Sequence, residues 1–291
     1  MALNLEVLTK LDIPPIEQTL QARDIILYAL GIGLGSDPLD TRQLQYVYEK
    51  DLRMLPTMAI VLGYAGPLSQ YGNTGITHTH VVHGEQGFVI HRALPVTGTV
   101  IGRTRVSGVV DKGEGRGALV YTETVILEKG KDAPLATLTN STFCRADGGF
   151  GGPTGPVPPL HALPKTPPER VCDLATLPQA ALIYRLSGDY NPLHADPAYA
   201  KRGGYDQPIL HGRCTFGVVG HALLKTCCDY DPARLMAMEG RFSAPVFPGE
   251  TIRTELWLDG ETVSFRATVP ARDIVVLNNG KARIRAVHRA D

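Results

Sequence analysis

Two kinds of hydrophobic spacing run along this chain. In TIRTELWLDGETVSFRATVP, residues 251–270, apolar and polar residues alternate on either side of Asp259-Gly260, which predicts a β-hairpin. DIVVLNNGKARIRAV follows with an Asn-Asn-Gly turn of its own, and TVIGRTRVSGVVDKGEGRGALVYTETVILE has the same character around DKGEGRG. Elsewhere the apolar residues recur at helical spacing. LPQAALIYRLSG predicts a helix with Leu182, Ile183 and Leu186 on its apolar side, and RCTFGVVGHALLKTC predicts a longer one. The sum is an α+β chain in which an antiparallel sheet wraps a long helix, a plan laid down twice.

The densest break in this patterning is Gly148–Pro168, GGFGGPTGPVPPLHALPKTPP, whose glycines and prolines exclude a regular helix or central strand. It divides the chain into a first half over residues 1–147, a surface linker over 148–172 and a second half over 173–291. The halves echo each other. DIILYALGIGLGSDP lies on AALIYRLSGDYNPLH with Tyr28 opposite Tyr184 and Leu30 opposite Leu186; VVHGEQ echoes ILHGRC; RALPVTGTV echoes SAPVFPGETI. Matches in the same order imply a divergent internal duplication. In the second half 34 residues separate His211 from Pro245, enough for a helix and a return strand, but only 12 separate His83 from Pro95. The first copy therefore has no room for the helix, and its loss leaves a groove. Gly33 falls opposite Asp189 and Pro38 opposite His194, so polar residues present in the second copy are missing from the first.

Composition narrows the class. A chain of 291 residues with 43% hydrophobic and 20% charged residues suits a soluble globular protein. Lys plus Arg balance Asp plus Glu at 29 each, leaving no net field to draw in nucleic acid or a membrane. Cys144, Cys172, Cys214, Cys227 and Cys228 make no C-x-x-C pair, their odd number fits a reducing compartment, and Cys227-Cys228 read as small buried hydrophobes. The longest apolar run, IILYALGIGLG, is too short to span a bilayer; the amino terminus lacks a signal pattern and the final HRAD is no peroxisomal address. The expectation is a cytoplasmic protein with no nucleic-acid or membrane partner.

The candidate chemistry sits in LSGDYNPLHADPAYA, Leu186–Ala200. Asp196 suits a helix cap and Pro197 the first helical position, and Gly203-Gly204 ends that short helix. Asp189–His194 thus lies on a constrained turn, with Pro192 fixing its backbone. A carboxylate and an imidazole held together can orient one water, take a proton from it and return one elsewhere, catalysis worth roughly 10²–10⁴-fold. Taken alone, such a turn can equally satisfy its own backbone. Gly212 adds weight. It stands just before the apolar helix, where free N–H groups and the positive end of the dipole favour an anion. An oxyanion donor of this type is worth about 2.7–4 kcal/mol. Acid–base pair and donor together suit proton chemistry beside a thioester carbonyl.

YRLSGDYNPLHADPAYA followed by PILHGRCTFG resembles the signature of the hydratase 2, or MaoC-like, enoyl-CoA hydratases. VYEKDLRMLPTMAIVLG, VVHGEQ, the Gly-Gly-Phe-Gly-Gly run and GRFSAPVFPGET extend the likeness over nearly the whole chain. Their order is similar to that in the hydratase domain of the type 2 peroxisomal multifunctional enzymes. The resemblance implies a double hot-dog fold with a degenerate first repeat, one active site per chain and a homodimer. It implies that Asp189 and His194 hold the catalytic water, that Asn191 orders their turn and that the Gly212 N–H polarises the thioester oxygen. It further implies that His83, Gly84, Lys112 and Phe242 contact the acyl-CoA, while Glu49 matches a family acid of unassigned role. The family hydrates trans-2-enoyl-CoA reversibly to (3R)-3-hydroxyacyl-CoA without a metal or redox cofactor. A first repeat lacking its helix then makes room for long or branched acyl chains. The competing readings are dehydration of another 3-hydroxyacyl thioester, on CoA or acyl carrier protein, thioester hydrolysis, and non-catalytic acyl-CoA binding.

Other signals carry less. His78, His80 and His83 form H-x-H-x-x-H, but in an extended segment His83 points away from the other two and no carboxylate or cysteine completes a metal set nearby. GGFGGPTG lacks the lysine and helix of a phosphate loop. Lys112 and Arg116 read on their own as a solvated turn, and Trp257 as strand packing.

Overall fold

Where apolar and polar residues alternate, the chain forms strands that offer one face to a core. The computed structural model describes residues 3–285; the terminal HRAD, on which the targeting expectation rested, lies outside the described residues, as do Met1 and Ala2. The first half contributes β1 (Ile16–Leu20), β2 (Val81–Ile90), β3 (Gly98–Asp111), β4 (Ala118–Glu128) and β5 (Pro134–Cys144). The second contributes β6 (Arg170–Ala175), β7 (Leu235–Phe242), β8 (Thr251–Asp259), β9 (Thr262–Val269) and β10 (Ile274–Ile284). They form one sheet in the order β1-β3-β4-β5-β2-β7-β10-β9-β8-β6. Read outward from the centre, the two halves have the same order, which makes β2 the counterpart of β7. The seam between them is the antiparallel pairing of Glu85 through Val89 with Arg241 through Ala237.

Among the described residues six α-helices accompany the sheet: α1 (Leu5–Thr9), α2 (Ala22–Gly31), α3 (Leu44–Val47), α4 (Ala180–Tyr184), α5 (Pro197–Arg202) and α6 (Gly212–Cys227). α6 is the long helix the sequence predicts. It is apolar nearly all round because it fills the core of the second half, burying Phe216, Val218, Val219, Leu223 and Leu224. Cys227 and Cys228 are buried as expected. No helix among the described residues is long and apolar enough to cross a membrane.

Several expectations need correction. Leu182 and Leu186 do not face the core; they are 53% and 50% exposed, and Ala180, Ala181 and Tyr184 are buried instead. α4 stops at Tyr184 and tightens into a 3₁₀ turn over Arg185–Ser187, which breaks the helical phase. The Asn-Asn-Gly stretch is not a turn. β10 runs through Asn278–Gly280 with slips of register against both β7 and β9, a bulge rather than a reversal. β6 starts at Arg170, inside the stretch assigned to the linker.

The reason given for the missing helix is also wrong, although the first half does lack one. VVHGEQ lies on β2, whose counterpart is β7, whereas ILHGRC leads into α6. The segment standing where a central helix would be is residues 32–80, ahead of β2. It is long enough for a helix, but its glycines and prolines wind it into α3 and short 3₁₀ turns. One of these, Pro56–Val61, is fully buried and packs on α6 where Gly220 meets Thr57. The other matches hold. RALPVTGTV and SAPVFPGETI occupy corresponding β2–β3 and β7–β8 connections, and Tyr28 and Tyr184 meet with ring centroids 5.7 Å apart.

The glycine-rich run has an internal partner. The Asp111 carboxylate accepts backbone N–H bonds from Gly113, Gly149, Gly151 and Gly152 at 2.7–3.3 Å. These bonds, that from Gly149 foremost, hold its carboxyl below the usual carboxylate value.

Candidate active site

The turn between α4 and α5 is tied by its own side chains. Asp189 Oδ1 accepts the Asn191 N–H at 3.3 Å and Asn191 Oδ1 accepts the Leu193 N–H at 3.0 Å. Asp196 caps α5 by accepting from the Ala198 and Tyr199 N–H groups, with Pro197 as its first residue. Closed in this way, the turn swings His194 inward until only 8% of it is exposed.

His194 Nδ1 lies 2.9 Å from the Ile209 carbonyl oxygen. A carbonyl only accepts, so Nδ1 carries the proton and Nε2 presents its lone pair. His211, which caps α6, stacks on this ring with centroids 3.7 Å apart and 27° between planes. Its Nε2 donates to the Asp189 carbonyl oxygen at 3.1 Å. Reactive atoms of Asp189, His194 and His211 all fall within 4.8 Å of one another.

Burial sets the charges. It pushes His194 below its ordinary value against the opposing influence of the Ile209 bond and Asp189, and it pushes His211 to about 3, aided by His194. Burial works to raise the Asp189 carboxyl, but His211, Arg213 and His194 together draw it below the usual carboxylate value. At neutral pH the site is a carboxylate beside two neutral imidazoles. The same three residues are a group among the described residues that could hold a cation.

Gly212 opens α6, and no hydrogen bond among the described residues uses its N–H. A Cβ at Gly212 would stand 3.3 Å from Phe242, so glycine leaves this donor open to a close-fitting carbonyl. Phe242 in turn packs on His83, ring centroids 4.5 Å apart, and burial followed by the charge of Arg213 pushes His83 to about 3.

One cavity of about 1560 Å³ joins these groups. Asp189, Asn191, His194, Gly212, His83 and Phe242 all line it. From there it extends into the first half, bounded by residues 62–71 and by Thr104, Thr122 and Thr124 on the sheet. Two expected contact residues, Gly84 and Lys112, are not brought to its wall, and neither is Glu49, the acid of unassigned role. Gly84 sits at a slip in the β2–β5 register, backed by Ser141; Lys112 places its Nζ 4.7 Å from the ring centroid of Phe143, a wall residue; Glu49 is exposed elsewhere. Sequence reasoning missed His211, Arg213 and Tyr64. His211 was visible only as the residue before Gly212 and the echo of His83, and Tyr64 had no signal.

Comparisons with known proteins place the chain in a family. Residues 19–146 match the MFE-2 hydratase 2 N-terminal domain and residues 160–279 the MaoC like domain. The chain is 36% identical over 290 residues to enoyl-CoA hydratase 2, peroxisomal, of Arabidopsis thaliana, covering 94% of this chain and 93% of that one. It is 35% identical over 263 residues to the peroxisomal multifunctional enzyme type 2 of Mus musculus, covering 87% of this chain but 35% of that one. The crystal structure of a MaoC-like dehydratase from Phytophthora capsici superposes with a TM-score of 0.85 at 34% identity, covering 98% and 99% of the two chains. With a paired sheet, one central helix and a polar turn facing that helix's amino terminus, the chain is a double hot-dog protein that belongs to the MaoC-like hydratase 2 family.

Proposed function

We propose that this chain adds water reversibly across the double bond of trans-2-enoyl-CoA to give (3R)-3-hydroxyacyl-CoA. One observation carries the reading: Asp189, the free Nε2 of His194 and the unused N–H of Gly212 line the same cavity. The Gly212 N–H, at the positive end of α6, binds the thioester oxygen as negative charge builds on it. Asp189 and His194 hold a water between them. The oxygen of that water bonds to C3, the pair takes up its proton, and a proton is delivered to C2, so atoms and charge balance. The relatives named as hydratases support the reaction class. Asn191 fixes the turn, and His83 with Phe242 forms the wall beside the donor.

The first half supplies the acyl site. Because residues 32–80 form no long helix, the cavity continues into that half and has space for more than a short chain. Loss of the enoyl-thioester absorbance band on mixing with crotonyl-CoA, and chiral analysis of the product, test the reading. It is overturned if no water is added or if the (3S) product forms.

A further inference from the structure

Apart from its charge on Asp189, Arg213 has no part in the chemistry above, yet it stands in the middle of it. It is the second residue of α6, lines the cavity and lays its guanidinium on Tyr64, 4.2 Å from the ring centroid. Its Nη1 is buried without a hydrogen-bond partner. None of the ion pairs formed among the described residues includes it. A cation in the first turn of a helix is opposed by the dipole, and its contact with Tyr64 leaves Nη1 unpaired. Its charge reaches both Asp189 and His83 across the cavity.

The floor of the cavity tells the same way. Thr104 and Thr124 share a hydrogen bond of 2.8 Å, and Thr122 stands in register with Asn140 and, through it, Gln86. On the second half's sheet the corresponding buried positions on β8, β9 and β10 are mostly hydrocarbon, with Leu256 opposite Phe265, Ala267 beside Leu277, and Thr254 the one hydroxyl among them. The first half thus carries a cluster of hydroxyls and amides where the same plan elsewhere carries hydrocarbon and a single threonine.

We propose that the cavity takes acyl chains bearing a carboxylate, which Arg213 binds over Tyr64 with the threonine row as polar floor. A guanidinium offers a carboxylate paired, coplanar N–H donors, and the buried Nη1 has donors to give. This rests on the hydratase reading and adds the substrate class.

The test compares kcat/KM for trans-2-enoyl-CoAs ended by a carboxylate with methyl-ended homologues of equal length, in wild type, Arg213→Met and Arg213→Lys. The wild type is expected to favour the carboxylate by roughly tenfold or more. That preference disappears in Arg213→Met and is partly kept by Arg213→Lys. A wild type without preference, or one whose preference survives Arg213→Met, overturns the proposal. So does an equal rise in KM for both series, which would give Arg213 to the phosphates of the CoA moiety. Hydration of crotonyl-CoA without any carboxylate preference overturns this proposal alone; no hydration of any enoyl-CoA overturns the hydratase reading with it.

Discussion

Replacing Asp189 by asparagine separates its chemistry from its place in the fold. The amide has the shape of the carboxylate, and its oxygen can still accept the Asn191 N–H. The bond from His211 goes to the backbone carbonyl and is untouched. What stability is lost is the carboxylate's attraction to Arg213 and the step from a charged to a neutral acceptor at one long bond, offset by the smaller cost of burying an amide, about 1 kcal/mol in all. The expected change in Tm is therefore only a few degrees, about 2–4 °C. The rate is another matter. Losing one member of an acid–base pair costs roughly 10²–10⁴-fold in kcat, or about 3–5 kcal/mol of barrier. The pH profile adds a sign. Hydration needs His194 with its Nε2 unprotonated, so activity falls as acid protonates it, below the ordinary histidine value of 6.5 because burial disfavours the charged ring. The Asp189 charge favours the protonated ring, so without it His194 protonates at still lower pH and the acid limb of the variant moves down. Thermal melts, circular dichroism and crotonyl-CoA kinetics across pH make the measurement. A folded Asp189→Asn protein whose kcat drops by less than about tenfold refutes the assignment, and an acid limb that moves up refutes the coupling.

Stability is expected to fall in mild acid. Burial holds His221 at about 4 against its ordinary 6.5, so the unfolded chain takes up the proton first; stability is full above 6.5 and is lost as pH falls toward 4. The loss from this residue is about 3 kcal/mol, and calorimetry should show a shallower slope in His221→Gln; an unchanged slope contradicts it. Gly220→Val should cost about 1–3 kcal/mol, because its Cβ enters the space of the buried Thr57, and a Tm equal to wild type would show that the Pro56–Val61 turn yields freely. Ala65→Phe puts a ring into the first-half end of the cavity and should lower kcat/KM for long enoyl-CoAs more than for crotonyl-CoA. Equal losses on both would place the acyl chain elsewhere.

The sequence made local features legible where a residue type has one conformational use. Asp196-Pro197 announced the start of α5, and Asp259-Gly260 turned the β8–β9 hairpin, with Gly260 at a φ of 57°. Asn279 was misread because its left-handed backbone, φ 54°, serves a bulge as well as a turn. Leu186 was misread because helical spacing holds only while the helix continues, and Leu182 because α4 turns Ala180, Ala181 and Tyr184 to the core in its place. His-Gly in VVHGEQ and ILHGRC looked like one motif, yet one lies within a strand and the other at a helix start, a difference set by surroundings far along the chain. The turn holding Asp189 and His194 could be read locally. The stacking of His211 on His194 could not, since the α5 excursion brings together rings with no periodic relation, and neither could the Arg213–Tyr64 pair between the two halves.

The seam between β2 and β7 bears on solubility. Both strands are long, and Phe88, Val89 and Ile90 close one end of β2. At the far ends of the sheet lie β1 and β6, with 5 and 6 residues. A second half expressed alone would expose the bare hydrogen-bonding row of β7, a template for other chains to add to. By covering that row and leaving only short strands at the rim, the first half guards against aggregation. That duty needs backbone alone, so it would preserve a repeat even where its side chains have lost the Asp and His of the other.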